Sequence, residues 1–295
     1  MDLRFDGRVA VVTGAGNGLG RQHALLLAAR GARVVVNDVG SGIDGSGTSD
    51  TPAAAVVREI EADGGTAVAS YDSVASPEGG EAIVNTALET FGRVYIVITN
   101  AGIIRDKAFH NLTPEMVRAV VDVHLLGAFW VTRPAWSHMR EQLYGRVVLT
   151  SSASGILGNF GQSNYGAAKM GLLGLLNVLE IEGQRHDIKV NAIAPVAQTR
   201  MTGEIEGIGA KVDPALVSPV VAYLAHEECA VSGEVFSVAG GRVARMFVGV
   251  TPGFFDPALT PESLREHLDE VRELDGFVVP DDATGEMPLL MRHLA

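Results

Sequence analysis

The sequence predicts an α/β fold, a doubly wound parallel sheet of the Rossmann type. Short Val- and Ile-rich runs recur along the chain, and segments with helical periodicity that stop at Gly separate them. Such uniformly apolar runs are typical of strands that helices cover on both faces. The regular alternation predicts parallel strands joined by right-handed crossovers. We therefore expect a single domain in residues 1–245 and a C-terminal extension packed on it in residues 246–295.

The expected elements follow in chain order. The strands are VAVVT (9–13), RVVVN (33–37), a third just before YDSV (71–74), VYIVIT (94–99), RVVLT (146–150) and KVNAIA (189–194). The helical segments are RQHALLLAAR (21–30), AAAVVREIEADGG (53–65), EAIVNTALETFG (81–92) and YGAAKMGLLGLLNVLEIEGQ (165–184). The stretch GSGIDGSG (40–47) is expected to form a flexible loop after the second strand.

A further helix is expected to begin at LTPE, where Thr113 is a suitable cap and Pro114 suits the first turn. On this helix one face would carry Val117, Val120, Val121, His124 and Ala128. His124 would then point toward packed structure, either as a satisfied core histidine or as part of a site.

After Gly241 the alternation stops. The following fifty or so residues are rich in Pro and aromatic side chains, and Thr260 with Pro261 and Glu262 predicts one short helix there. We interpret this tail as an appendage too short for a second domain.

Composition limits the choice of partners and compartments. The net charge is −12 and no dense basic run occurs, which argues against nucleic acid. The single Cys229 allows neither an internal disulfide nor a zinc site, so we expect no metal and a reducing compartment. The start MDLRFDGR lacks a signal peptide's apolar run, and no stretch approaches 18 apolar residues. We therefore expect a cytoplasmic protein without a membrane span.

A glycine cluster directly follows the first strand, in TGAGNGLG (13–20). Glycines at this point allow a tight turn and a close approach of the backbone to a pyrophosphate at a helix N-terminus. We predict cofactor contacts from Gly14, Asn17, Gly18, Leu19 and Gly20. The second strand ends near Asp38, whose carboxylate would bind ribose hydroxyls and repel a 2′-phosphate, so NAD is favoured over NADP. The alternative is a structural turn with a surface aspartate.

Two further strand ends belong to the same predicted cleft, because ligands of open α/β sheets bind beyond the carboxyl ends of the strands. Asp72 and Ser73 follow the third strand, and Asn100, Ala101 and Gly102 follow the fourth. Asp72 could equally be an ordinary turn residue.

The fifth strand ends in TSSAS, and YGAAK follows 13 residues after Ser152. The spacing of four places Tyr165 and Lys169 on one helical face. A neighbouring cation, together with an oxidised nicotinamide, favours the phenolate and lowers the pKa of a tyrosine. Tyr165 could then accept a proton from an alcohol while Ser152 holds the substrate oxygen.

These motifs together resemble the short-chain dehydrogenase/reductase family over roughly residues 5–245. Longer stretches, among them VVVNDVG, SSASGILGNFGQSNYGAAKMGLLGL and IAPVAQTRM, more narrowly resemble the (3R)-hydroxyacyl-CoA dehydrogenase domain of peroxisomal multifunctional enzymes type 2. The resemblance implies NAD-dependent oxidation of 3-hydroxyacyl-CoA to 3-ketoacyl-CoA and a dimer, and some relatives act on 17β-hydroxysteroids.

The resemblance also implies roles for individual residues. Tyr165 would be the general acid/base, Lys169 would bind the nicotinamide ribose and lower the tyrosine pKa, and Ser152 would orient the substrate. In most of the family an Asn whose carbonyl holds a proton-relay water stands 41 residues before the Tyr, where this chain has His124. Thr199 matches the Thr that bonds the carboxamide, although Val196 replaces the usual Gly and the spacing is one residue shorter. Residues 203–212 would form a mobile substrate loop.

Three hypotheses about function remain open at this stage. The first is an NAD-dependent dehydrogenase of a small-molecule acyl-CoA, whose anionic groups would be met by cations such as Arg105, Lys107, Arg200 and Lys211, unless these are ordinary solvated charges. The second is a 17β-hydroxysteroid dehydrogenase with FVGVTPGFF (247–255) lining an apolar pocket. The third is a nucleotide-sensing protein without catalysis. A homodimer or homotetramer is expected, with LLGAFW (125–130) and GLLGLLNVL (171–179) at the interface.

Overall fold

The computed structural model of the protein describes residues 2–200 and 212–291. It contains two compact units, Met1–Arg245 and Met246–Ala295. The predicted packing of the C-terminal extension on the first unit stays a prediction.

The first unit is built on one sheet that, among the described residues, has eight strands in the order β3-β2-β1-β4-β5-β6-β7-β8. The strands are β1 Val9–Thr13, β2 Arg33–Asn37, β3 Thr66–Ser70, β4 Ile96–Thr99, β5 Gly145–Thr150, β6 Ile188–Val196, β7 Val235–Ala239 and β8 Arg242–Met246. All neighbours from β3 to β7 pair in parallel. The predicted doubly wound α/β fold is confirmed.

Helices separate these strands. They are α1 Gly18–Ala29, α2 Thr51–Ala62, α3 Pro77–Phe91, α4 Pro114–Val121, α5 Gly127–Glu141, α6 Ala153–Ile156, α7 Ser163–Gly183 and α8 Ser218–Ala225. Helix α1 packs against α2 and α8, while α3 packs against α5 and α4 against α7. Helices therefore sandwich the sheet, and its central strands are buried on both faces, as their uniform apolar sequences predict.

Strands β7 and β8 are absent from the sequence-based prediction, which ended the alternation at Gly241. They are joined by Gly240 and Gly241, with φ of 52° and 85°. A two-residue connection of this kind requires an antiparallel hairpin. The sequence of β8, RVARM, is polar and mostly exposed, so it lacks the apolar run by which the other strands were recognised.

The predicted helix cap at Thr113 is confirmed, because its hydroxyl accepts a hydrogen bond from the Met116 amide. The helix is not regular throughout, however: a π-helical turn, Asp122–Leu126, lies between α4 and α5. This wider turn changes which side chains share a face. His124 and Ala128 are buried as expected, whereas Val117 is exposed, which corrects the predicted apolar face.

Among the described residues of the second unit, three short helices occur, α9 Pro261–Glu266, α10 Leu268–Val271 and α11 Met287–Met291. The predicted helix at Thr260 is confirmed, with a capping box between Thr260 and Ser263. Within this unit Phe247 stacks on Phe277, and Val250 pairs with Val278 in an antiparallel bridge.

Over residues 2–200 and 212–291, no helix has the length and apolar character needed to cross a bilayer. The same ranges contain no group of three or more His, Cys, Asp or Glu side chains placed to hold a metal ion.

Candidate active site

A cavity of about 450 Å³ lies at the carboxyl ends of the parallel strands, where the strand order reverses between β1 and β4. This reversal is the usual ligand position in open α/β sheets. The cavity brings together most of the predicted cofactor-binding residues. Its lining includes Gly14, Asn17, Gly18, Leu19, Asp38, Asp72, Ser73, Asn100, Ala101, Gly102 and Thr199.

The glycine loop between β1 and α1 is shaped for a close-lying ligand. Gly14 has φ of 62°, and a Cβ there would lie 2.7 Å from the Ala101 Cα. Helix α1 begins at Gly18 without a side-chain cap on Asn17 and without an acidic residue in its first turn. Its first amides and the positive end of its dipole therefore fit a pyrophosphate. Gly20 does not line the cavity but lies behind it, against the Gly14 carbonyl and the Asn100 amide group.

Asp38 lies just beyond β2 and faces the cavity. One carboxylate oxygen accepts a hydrogen bond from the Gly16 amide at 2.8 Å, and the other accepts one from the Gly40 amide at 2.7 Å. These bonds fix the carboxylate while leaving acceptor capacity on both oxygens for ribose hydroxyls.

The ends of β3 and β4 form the floor of the cavity. The Asn100 side-chain amide donates to the carbonyls of Thr13 and Gly14, and the Thr13 hydroxyl accepts from the amides of Asn100 and Ala101. At the neighbouring strand end, Ser70 donates to the Asp72 carboxylate. Asn100 thus ties the glycine loop to β4, which sets the shape of the cleft.

The glycine-rich loop 40–47, expected to be flexible, forms one side of the cleft. The Ile104 amide donates to the Ile43 carbonyl, and Arg105 Nε donates to the Asp44 carbonyl, both at 2.9 Å. The loop is therefore bridged to the segment that follows β4.

Ser152, Tyr165 and Lys169 come together at the end of β5 and the start of α7. The Ser152 hydroxyl lies near enough to the Tyr165 side chain to act on its pKa. Lys169 Nζ lies 5.6 Å from the centroid of the Tyr165 ring. The Asn164 side-chain oxygen Oδ1 accepts from the Tyr165 backbone amide, and its side-chain Nδ2 donates to the Arg105 and Met116 carbonyls. Asn164 therefore anchors the first turn of the helix that carries the tyrosine.

Lys169 is buried, and its Nζ donates to the Thr150 carbonyl at 2.5 Å. Burial lowers its pKa to about 7. Because one hydrogen bond leaves two further donors when the amine is charged, the side chain keeps the capacity to bind a ribose hydroxyl.

The pKa of Tyr165 is raised, whereas the sequence predicted that it would be lowered. Burial raises the pKa of this tyrosine, the Ser152 hydroxyl opposes that rise, and Asp106 adds to it. Burial is the largest of these effects, because it penalises the charged phenolate.

His124 lies between the cleft and the tyrosine. Its Nε2 is 3.0 Å from the Ile103 amide nitrogen and 2.8 Å from the Ile103 carbonyl oxygen. Its ring meets the Tyr165 ring edge to face, with centroids 5.0 Å apart. Burial, with a smaller effect of Lys169, lowers the pKa of His124 well below its usual value, so the imidazole is neutral.

The remaining predicted residues divide into two groups. Thr199, Arg105 and Arg200 line the cavity, whereas Lys107 does not. Lys211 and almost all of the predicted substrate loop, residues 203–211, lie outside the described residues.

Sequence reasoning missed Thr13, Asp106 and Asn164 as parts of the site. Thr13 begins the glycine motif and Asn164 directly precedes Tyr165, so adjacency to a motif is the signal that could have indicated both. Asp106 accepts a hydrogen bond from Gln162, 56 residues away, and no local pattern marks that contact.

The fold and this site define a class of protein: an oxidoreductase with a dinucleotide cleft beside a Ser-Tyr-Lys trio. Within that class the chain belongs to the short-chain dehydrogenase family, whose family model, described as short chain dehydrogenase, matches residues 8–209. The family binds nicotinamide dinucleotides.

Similar proteins support this assignment. A short-chain type dehydrogenase/reductase of Mycobacterium tuberculosis is 50% identical over 272 residues, 91% of this chain and 95% of that protein. The peroxisomal multifunctional enzyme type 2 of Mus musculus is 48% identical over 284 residues, 94% of this chain and 38% of that enzyme. A hydroxyacyl-CoA dehydrogenase of Mycobacterium tuberculosis is 39% identical over 257 residues, 81% of this chain and 79% of that protein.

A solved structure shows the same fold. Full-length peroxisomal multifunctional enzyme type 2 from Drosophila melanogaster has a TM-score of 0.84 at 38% sequence identity, covering 98% of this chain and 50% of that one. The chain thus spans about half the length of that enzyme.

Proposed function

We propose that this oxidoreductase uses NAD to oxidise a secondary alcohol to a ketone, with (3R)-3-hydroxyacyl-CoA as the substrate. The observation that carries the proposal is the trio itself: Ser152 lies near enough to Tyr165 to act on its pKa, Lys169 Nζ lies 5.6 Å from the centroid of the tyrosine ring, and His124 links that ring to the wall of the dinucleotide cleft.

The roles of the side chains follow from this arrangement. Bound NAD supplies a hydride acceptor. The Ser152 hydroxyl donates to the substrate oxygen, and the Tyr165 phenolate takes the alcohol proton as the carbonyl forms. Lys169 would favour the phenolate by its charge and would hold the nicotinamide ribose when the cofactor is bound. Because burial raises the pKa of Tyr165, oxidation should speed up as the pH rises above neutrality.

The choice of NAD over NADP rests on Asp38 at the end of β2, where a 2′-phosphate would meet a fixed carboxylate. We expect Asp38→Ala to reduce discrimination against NADP roughly tenfold, as for the loss of one charge repulsion near a protein surface. The ratio of kcat/KM for the two cofactors measures this effect. Asp44→Ala is the matched control, since the Asp44 carboxylate bonds within its own exposed turn to Ser46. An unchanged ratio in Asp38→Ala would mean that the ribose binds elsewhere.

The acyl-CoA substrate is supported by two relatives: the hydroxyacyl-CoA dehydrogenase of Mycobacterium tuberculosis, by its name, and the multifunctional enzymes type 2, whose dehydrogenase domain the sequence resembles. Arg105 and Arg200 on the cavity wall provide cations for the phosphates of CoA.

The experiment that tests the proposal is the initial rate of NADH formation with (3R)-3-hydroxyacyl-CoAs, their (3S) partners and a 17β-hydroxysteroid, with NAD and NADP in parallel. We expect turnover confined to the (3R) substrates with NAD. Turnover with the steroid alone, or with none of these compounds, would overturn the substrate assignment.

Assembly and location complete the proposal. We infer a homodimer or homotetramer, because Phe129 on α5 and Val178 and Ile181 on α7 are apolar and exposed. Sedimentation equilibrium tests the assembly. A cytoplasmic location stays part of the proposal, although the names of several relatives place those enzymes in peroxisomes.

A further inference from the structure

A second, much smaller cavity lies behind the catalytic trio, between the ends of β4 and β5 and the π-helical turn. Its lining includes Thr99, His124, Thr150 and Lys169. Its free volume of about 10 Å³ for the centre of a water-sized sphere is close to what one water molecule needs. Asp38 and Asn17, which line the large dinucleotide cleft, do not line this smaller cavity.

Three polar atoms on this lining are buried without a hydrogen-bond partner among the described residues: Thr99 Oγ1, His124 Nδ1 and Thr150 Oγ1. The three residues are 9%, 4% and 7% exposed, so bulk water does not satisfy these atoms. A buried polar atom without a hydrogen-bond partner destabilises the folded state. Because the three unpartnered atoms belong to residues around one void of this size, we expect them to share one hydrogen-bond partner.

We propose that this cavity binds one internal water molecule, held by Thr99 Oγ1, Thr150 Oγ1 and His124 Nδ1, and that this water makes His124 a positioning residue for Tyr165. A water molecule has two donors and two acceptors, which suffices for two hydroxyls and one ring nitrogen. It also matches either neutral tautomer of the imidazole, because it can donate to Nδ1 or accept from it.

The positioning role follows from what the other edges of the imidazole touch. Nε2 is bonded to the Ile103 backbone, and Ile103 lines the dinucleotide cleft. The ring edge meets the face of Tyr165 at right angles. A carbon added to Gly102 would collide with the His124 Cε1, so the ring fills the space behind the cleft wall. The water would hold Nδ1, the ring nitrogen that has no partner among the described protein atoms. The imidazole would then fix the positions of both the Ile103 peptide and the Tyr165 ring.

The proposal depends on side-chain atoms that the dehydrogenase assignment does not use, namely two threonine hydroxyls and one imidazole nitrogen. Thr99→Val and Thr150→Val keep the shape of each side chain and remove only the hydroxyl. Thr132→Val is a matched control: Thr132 Oγ1 is also buried and unpartnered, but the residue lies in α5 outside this cavity.

The first measurement is a high-resolution crystal structure of the wild-type protein. We expect one solvent peak within hydrogen-bond distance of all three atoms, and its loss in the Thr99→Val/Thr150→Val double variant. A wild-type cavity without solvent density would overturn the proposal.

The second measurement is the ¹⁵N chemical shift of His124 Nδ1, which reports its hydrogen bond directly and needs no substrate. We expect the shift to move in the double variant and to stay unchanged in Thr132→Val. If the double variant does not fold, a magnetisation transfer from water to the His124 ring protons in the wild-type protein decides the question, and its absence would count against the site.

A kinetic measurement separates positioning from a structural role, and it rests on the proposed dehydrogenase activity. We expect kcat of the double variant to fall roughly tenfold, as for one lost hydrogen bond, with the KM for NAD little changed. If the double variant is less stable but its kcat does not fall at an unchanged KM for NAD, the positioning role is overturned. Absence of turnover in the wild-type protein would instead contradict the proposed function and leave the crystallographic and NMR tests standing.

Discussion

Tyr165 and Lys169 lie four residues apart on α7, and burial acts on both in favour of the neutral form. It raises the pKa of the phenol and lowers the pKa of the amine to about 7. The spacing of the pair was evident from the sequence, whereas the effect of burial depends on elements far away in the chain.

Removal of the phenol oxygen tests its role directly. We expect Tyr165→Phe to lower kcat by roughly 10²–10⁴, because proton transfer by a positioned group contributes that much. NAD affinity, measured by fluorescence titration, should remain close to wild type, since the cleft residues are untouched. Retention of turnover would rule out Tyr165 as the general base.

His23, which lies outside the site, should make the stability of the protein depend on pH. It is fully buried on α1, its Nδ1 lies 2.8 Å from the Ser218 hydroxyl, and burial lowers its pKa to about 3. Between pH 3 and 6.5 the unfolded state binds the extra proton, so stability falls as the pH falls through this range. From pH 7 to pH 5 this histidine should cost about 2 kcal/mol of unfolding free energy.

Urea unfolding of wild type and His23→Gln at both pH values measures this contribution. The wild-type protein should lose about 2 kcal/mol more than the variant on acidification. His110→Gln, at an exposed position, is the control and should behave as wild type. Equal losses in wild type and His23→Gln would contradict the prediction.

At the scale of elements, strands β1, β2, β4, β5 and β6 were predictable because each carries an apolar run that is largely buried on both faces. Strand β3 is only partly buried, and its place followed from the alternation of strands and helices. The hairpin of β7 and β8 was not predictable, because the partly exposed β7 and the polar β8 lack such a run and pairing to neighbours decides their structure. The π-helical turn at His124 was also missed, since a single extra residue in a helical turn leaves no periodic signal. That turn places the histidine against Ile103 and Tyr165, so part of the site depends on it.

Helix α4 leads into this turn, and its cap should contribute to stability. Thr113→Ala removes the hydroxyl that accepts from the Met116 amide and should cost about 1 kcal/mol of unfolding free energy. Thr113→Ser keeps the acceptor and should cost much less. Urea unfolding of the two variants gives the comparison, and equal losses would show that the cap does not stabilise the helix.

At the scale of the whole molecule, the strand order reversal that places the cleft was predictable from the alternation of strands and helices, and the glycine and YxxxK motifs located the site on it. Long-range polar contacts were not predictable. The clearest is Arg146 at the start of β5, which is 1% exposed and donates to the carbonyls of Gly145, Asp187, His226 and Glu227. Arg146 thereby connects the amino ends of β5 and β6 with the end of α8, at the end of the strands opposite the cleft.

Arg146→Met should therefore destabilise the protein by several kcal/mol, because each buried carbonyl left without its donor costs about 1–3 kcal/mol. The buried Cys229 thiol offers a direct measurement, since its labelling rate reports unfolding. Arg245→Met, which removes a half-exposed ion pair with Glu234, is the control and should cost about 0–1 kcal/mol. Similar labelling rates in the two variants would contradict this role of Arg146.

The position of Arg146 in the chain also bears on how the protein is made. Its partners at Asp187, His226 and Glu227 follow 41 to 81 residues later. A guanidinium stays hydrated until carbonyls can replace its water, so this end of β5 cannot close while the ribosome is still producing those residues. The glycine-loop side of the fold also depends on late residues, because buried His23 on α1 is bonded to the Ser218 hydroxyl. The nucleotide-binding half is therefore completed only after Ser218 has emerged, and the half that bears Tyr165 and Lys169 only after residue 227 has emerged.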